Sequence, residues 1–160
     1  MNVFVLDLDP AIAARYHNDA HVRKMIVESG QILSAALRAN GVESPILYKE
    51  THKNHPCTRL AATNRNNFFW VLTLMEELGR EYTHRTGKVH KSMNIVSEIW
   101  RYNYAIPDGE LAFAQAMPEK YKSNDVVSSY RDYYKNEKKF MKNGRLMEVY
   151  TNRDLPEFLC

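Results

Sequence analysis

The sequence predicts a mostly α-helical single domain over residues 1–160, a bundle of five or six helices with a short extended segment at its amino end. Three observations predict it. Apolar residues recur at helical spacing, as in Val22, Met25, Ile26, Ser29, Ile32 and Leu33, and again in Phe68, Leu72, Met75 and Tyr82. Helix breakers follow these runs: "NG" at 40–41 and "RTGK" at 85–88. Only one short run, "NVFVL" at 2–6, is rich in β-prone residues.

Each element has a local signal. "NVFVL" reads as a small strand or extended segment. In "DLDP", Asp9 can cap a short helix with Pro10 at its first position. Asp19 is expected to cap a long helix reaching about Ala39. Residues 41 to 57 read as a loop closing in "NHPC". A third helix is predicted from about Asn66 to Arg85, weakened at Gly79, and a fourth from His90 to about Trp100. "YAIPDGE" is a turn-rich loop, and "FAQAMPEKY" reads as irregular or as a short helix around Pro118. Asp125 can cap a last long helix reaching about Lys142, and "TNRDLPEFL" is expected to dock one more turn.

With 160 residues and 44% hydrophobic content, the chain can bury its own core and is not a disordered sequence. No apolar run approaches the roughly 20 residues that span a bilayer, so no membrane partner is expected. The opening "MNVFVLDLDP" is too short and too acidic for a signal peptide. Two cysteines, Cys57 and Cys160, do not suggest a disulfide framework. A reduced, cytoplasmic setting is expected.

The net charge of +3 is too small to imply nucleic acid by itself. Its distribution says more. Eight Lys/Arg stand against four Asp/Glu from Glu119 to Arg145, with Tyr121, Tyr130, Tyr133 and Tyr134 among them. Basic groups beside flat rings suit phosphates and bases, while a solvated basic face over core tyrosines explains them equally.

The long helix carries an unusual polar stripe. His21, Lys24, Glu28 and Gln31 fall on one face. Lys24 and Glu28 suit a surface ion pair four residues apart. In a cleft, Glu28 would instead be a general base or an acceptor for a base N–H. All six histidines lie in three clusters: His17 with His21 around Asp19, His52 with His55 around Asn54, and His84 with His90 around Arg85 and Lys88. Their spacing matches no standard metal set, and no metal or cofactor is expected. They serve either as caps and loop ties or as donors to an anionic, base-bearing ligand. Cys57 gives weak support for nucleophilic chemistry, and no nucleophile elbow, P-loop or dinucleotide fingerprint is present.

Two sets of motifs carry a resemblance. "LDPAIAARYH", "HVR", "NHP" and "RTGKVHKS", covering residues 8 to 92, resemble the helical pyrimidine-dimer DNA glycosylases of phages and microbes. In that family the amino-terminal α-amine attacks the sugar carbon as a Schiff-base nucleophile, a helix glutamate assists, and the damaged duplex is kinked with a base flipped out. In this register the family's glutamate position falls at His21, and the arginine two residues later is Arg23. About two extra residues precede Leu8, Asn2 favours retention of Met1, and "NVFVL" reads as packed into the fold rather than as a free amine at a cleft.

The whole chain is also similar to a group of small phage proteins. Their pattern is matched by Asp19 to Leu33, Asn54 to Pro56, Glu81 to His90, Gln115 to Tyr121 and Tyr130 to Tyr134. Such proteins are placed near the α-glutamyl/putrescinyl-thymine pyrophosphorylase-like group, linked to thymine hypermodification in phage DNA. These resemblances imply a glycosylase-like helical fold in the host cytoplasm, with the stripe facing substrate.

The expected ligand is a nucleotide or DNA. His21 or Glu28 would handle protons. His17, Arg23, Lys24, Gln31, Asn54, His55, His84, Arg85, Lys88 and His90 would bind the ligand, and Tyr130 or Tyr134 would stack on it. Two functions follow. One is a DNA-base enzyme acting on thymine or a modified pyrimidine. The other is a non-catalytic nucleotide binder, a homo-oligomer that sequesters a cyclic-nucleotide or ADP-ribose-type immune signal. A pyrimidine-dimer glycosylase with shifted chemistry is a third.

Overall fold

The computed structural model describes residues 1–160. Six α-helices follow in order: α1 (Pro10–Tyr16), α2 (Asp19–Ala39), α3 (Pro56–Thr63), α4 (Arg65–Thr86), α5 (Val96–Tyr102) and α6 (Val126–Glu137). Short 3-10 turns occupy Lys91–Ile95, Asn103–Ala105, Glu119–Tyr121 and Glu157–Leu159. No strand ladder forms, and the chain is mostly helical, as its periodicity predicts. No helix is long and apolar enough to cross a membrane.

The two longest helices, α2 and α4, pack on each other, with α1 against α4 and α3 against α2. Their apolar stripes supply Val22, Met25, Ile26, Ile32, Leu33, Phe68, Val71, Leu72, Met75 and Leu78 to one continuous core. At Gly79 the Met93 side chain lies where a Cβ would stand, so this weak helix residue admits a close neighbour.

Several boundaries differ from expectation. Asn18, not Asp19, caps α2: its side chain accepts from the His21 N–H at 2.8 Å. That leaves Asp19 free to pair elsewhere. The segment read as a loop through residue 57 already starts α3. Pro56 fills the first helical turn, and His55 Nδ1 accepts from the Cys57 N–H at 3.2 Å. The helix expected from His90 begins as a 3-10 turn, capped by His90 itself. α6 stops at Glu137, short of Lys142, because residues 139–147 fold back on themselves. There Gly144 takes a left-handed φ of 81°, and Phe140 and Leu146 face each other in an isolated antiparallel bridge.

"NVFVL" is an extended segment without a sheet. Val3, Phe4, Val5 and Leu6 are all buried. Side chains bind its backbone where a strand partner would. The Asn2 N–H donates to Glu28 Oε2 at 2.9 Å and Arg131 Nε donates to the Leu6 carbonyl at 2.8 Å. Just beyond the segment, Trp70 Nε1 donates to the Leu8 carbonyl at 2.7 Å. The "NRNN" run at 64–67 ties down the loop after α5. Arg65 donates to the Ile106 carbonyl, Asn66 to Gly109 and Asn67 to Ala112.

Arg85, near the end of α4, joins the chain's ends. It is buried, and its guanidinium bonds the carbonyls of Arg15 at 3.0 Å and His17 at 2.8 Å, the Asp19 carboxylate at 3.0 Å and the Glu81 carboxylate at 3.1 Å. Glu81 also receives Arg153 at 2.6 Å, and Asp19 receives the Thr151 hydroxyl at 2.6 Å. Burial alone would raise the pKa of both acids. The bonds from Thr151 and Arg85 at Asp19, and from Arg153 and Arg85 at Glu81, more than offset it, so both stay below the ordinary carboxylate range.

Removing the guanidinium would leave two carboxylates short of their cation and two carbonyls unpaired. Arg85→Ala should lower the unfolding free energy by about 3–5 kcal/mol, read by urea titration. Arg85→Lys should recover less than half of that loss, because one ammonium cannot span the four acceptors.

Candidate functional site

The stripe on α2 does not face a single environment. His21 is buried. Its Nδ1 accepts from the Tyr134 hydroxyl at 2.8 Å, and that hydroxyl itself accepts from the Asn18 N–H at 2.9 Å. Its ring stacks on Phe4 with centroids 4.9 Å apart. Burial, helped by the nearby His17, Lys138 and Lys24, pushes the His21 pKa down to about 2. His17 is also buried, with Nδ1 donating to the Ala13 carbonyl at 2.7 Å, and burial pushes its pKa down to about 4. Both imidazoles are therefore neutral core groups at pH 7, and neither presents a cation to phosphate.

Tyr130 and Tyr134 belong to the same interior and offer no open ring face. The Tyr130 hydroxyl donates to the Ala114 carbonyl at 2.6 Å and accepts from the Ala116 N–H at 3.2 Å. Arg85 has no donor left for a ligand. These placements remove His17, Arg85 and both tyrosines from the set able to touch a ligand from solvent, and they give His21 a packing role.

The rest of the stripe builds the candidate site. Two turns along α2 from His21, the Glu28 carboxylate lies at the amino end of the chain. Its Oε2 accepts the Asn2 N–H at 2.9 Å and stands 3.8 Å from the Met1 α-amine. Its Oε1 lies 3.3 Å from Lys24 Nζ. The Glu28 side chain is 11% exposed and that of Lys24 64%, so the carboxylate sits in a shallow recess with the lysine at its open side. Gln31, one turn on, is half-buried.

The "HPCT" run at 55–58 forms another wall. The Thr58 hydroxyl contacts Met1 Sδ at 3.8 Å. Burial lowers the His55 pKa, and the Met1 amine and His52 lower it further, while Glu28 works against them. Burial likewise pushes the Cys57 thiol up to about 11, so it is protonated at neutral pH and a poor nucleophile. Asn2 closes the site from behind, its Nδ2 donating to the Ala116 carbonyl at 2.9 Å. Segments far apart in sequence thus meet at residues 1 and 2.

The other candidates lie apart. Asn54 and Lys88 are exposed. His84 is exposed, with Nε2 3.1 Å from the Asn152 carbonyl. His90 caps its 3-10 turn and meets Tyr82 edge-on at 4.9 Å. Arg23 lines a cavity between α2 and the 139–147 turn. No group of three His, Cys, Asp or Glu side chains is placed to hold a metal ion. Sequence reading missed Asn2 and Thr58. It weighed the amino-terminal amine through the glycosylase resemblance and read it as packed away, whereas the Met1 amine stands 3.8 Å from Glu28.

Comparison of the chain with protein-family models, with curated proteins and with solved structures finds no match.

Two outcomes follow from this geometry. His17 and His21 bind protons in the unfolded chain below the ordinary histidine value of 6.5, but in the folded chain only near 4 and 2. The unfolded state therefore holds more protons as the pH falls, and stability is lost with acid. The slope should reach about 1.4 kcal/mol per pH unit for each imidazole between pH 6 and 4. Urea titrations across that range measure it, and His21→Gln should reduce the slope by about 1.4 kcal/mol per pH unit, the share of one imidazole. At the recess, Glu28→Ala strands the Asn2 N–H and should lower stability by about 1–3 kcal/mol. Glu28→Gln, which keeps an acceptor, should cost less than half as much in the same titrations.

Proposed function

We propose that the chain is a DNA-base enzyme of glycosylase type, acting on thymine or a modified pyrimidine, with Glu28 as its proton-handling residue. One observation carries the reading: a nearly buried carboxylate flanked by two amines, the Met1 α-amine at 3.8 Å and Lys24 Nζ at 3.3 Å. An amine beside a carboxylate is the equipment for displacement at a sugar C1′. The deprotonated amine forms a bond to C1′ while the C1′–base bond breaks, and the electron pair of the broken bond leaves with the base, which takes up a proton from water. The attacking nitrogen loses a proton to Glu28. Glu28 returns it to the ring oxygen as the sugar opens to an iminium.

The resemblance to the pyrimidine-dimer glycosylases suggested the chemistry but placed the carboxylate position at His21. Here His21 is a core residue, and Glu28 occupies the place beside the amine. Asn2 and Thr58 would hold Met1 in position, and Lys24 would pair with a phosphate or with the departing base.

Borohydride trapping tests the reading. Duplexes carrying a pyrimidine dimer, a hypermodified thymine or an abasic site are incubated with the protein and reduced. A covalent adduct should form, with the modification on the Met1 peptide by mass spectrometry. Glu28→Gln should slow adduct formation by about 100-fold, in the range of a general acid–base group. Acetylation of the α-amine should abolish it. An adduct on Lys24 would move the nucleophile to the other flank of Glu28. Absence of adduct and of released base on all three duplexes would overturn the proposal.

A further inference from the structure

A cavity of about 370 Å3 opens between the first turn of α2, the last turns of α4 and the folded-back turn after α6. It lies apart from the Met1 and Glu28 recess and shares no lining residue with it. That size is within the range of small-molecule sites. Two features of its lining are unexplained by the fold.

The first is charge. Arg23, Arg85 and Arg145 line it against Asp19 alone. Arg85 and Asp19 neutralise each other at 3.0 Å. The guanidinium groups of Arg23 and Arg145 make no ion pair or hydrogen bond, although every other arginine except Arg15 and Arg59 has one. The second is apolar surface. Met141, Leu146 and Val149 line the cavity while 42%, 47% and 45% exposed, and Tyr82 and Met147 complete that wall. Apolar side chains left open around a cavity mark a place for a ligand rather than for solvent.

Together these features specify an anion with a flat apolar body. Two guanidinium forks can each grip a pair of oxygens, which suits a phosphate better than a carboxylate. A tyrosine ring and methionine thioethers suit a heteroaromatic ring. We infer that this cavity binds a nucleoside monophosphate, with the phosphate between Arg23 and Arg145 and the base against Tyr82, Met147 and Val149.

The inference stands on residues other than those of the Glu28 recess, so the two can fail separately. Calorimetric titration of the full chain with dTMP and with AMP, alongside inorganic phosphate, tests it. At least one nucleotide should bind, and inorganic phosphate should bind at least tenfold more weakly. Arg23→Gln and Arg145→Gln should each weaken nucleotide binding about tenfold without changing the melting temperature, since neither side chain holds the fold together. Val149→Asp should weaken it as well. Glu28→Gln should leave it unchanged, whatever its effect on DNA. No binding by either nucleotide, equal binding of phosphate, full affinity in the double arginine variant, or loss of affinity in Glu28→Gln would each overturn the assignment.

Discussion

A buried guanidinium with every donor to satisfy governs one half of this molecule. Arg85 must find acceptors wherever the chain places it, because its guanidinium carries five N–H donors and accepts nothing. It finds them on the last turn of α1, in the link between α1 and α2, on Asp19 and on Glu81. Those acceptors are then fixed relative to one another, and so are the helices that carry them. The two carboxylates draw in Arg153 and Thr151, which brings the carboxyl-terminal segment across α2 and α4. Even the first N–H of α2 joins this arrangement, with Asp19 N–H donating to the Val149 carbonyl at 2.8 Å. The cavity beside Arg23 and Arg145 exists because this segment is pinned there.

The other half is governed by an extended segment buried without a partner strand. Its backbone polar groups must be met by side chains, since burial without a partner costs on the order of 1–3 kcal/mol for each group. Glu28 and Arg131 answer that demand from two different helices. One carboxylate oxygen of Glu28 therefore serves the fold, while the other faces Lys24 and the opening. The same requirement brings residues 1 and 2 to the middle of α2, and α3 closes over them through Thr58. A group that holds the chain's beginning in place is also the only carboxylate beside its amine.

Much of the helical frame was legible. Periodicity marked α2 and α4, Pro10 marked α1, and Asp125 marked the start of α6. What escaped were boundaries set by local chemistry of two kinds. Asn18 and Asp19 are both good caps, and sequence cannot show that Arg85 claims the second of them. His55 and Pro56 resemble the close of a loop, yet an imidazole nitrogen and a proline ring begin α3. At the site, the four-residue spacing of Lys24 and Glu28 offered their pairing as one of two readings, beside a general base in a cleft, and the structure places the two 3.3 Å apart. That the Met1 amine lies against Glu28 was not legible, because a periodic pattern on one helix says nothing about which distant segment will cover it.

His21 and Glu28 show why a stripe read from sequence divides in the structure. Seven residues apart, they point in nearly the same direction from α2. What differs is the cover. Over the first turn lie Phe4 and the Tyr134 hydroxyl of α6, which enclose His21 and hold it neutral. Two turns on, Phe4 has given way to Asn2 and the chain's first residue, and the cover thins until Lys24 stands in solvent. An imidazole suits the first place because it can be neutral and still accept one hydrogen bond. A carboxylate suits the second because an N–H and two amines surround it. Exchanging the two residues would bury a charge beside a phenyl ring and leave the Met1 amine facing a ring that burial also keeps neutral. The direction from the helix axis is set by sequence position alone, but the chemistry allowed there is set by what packs above it.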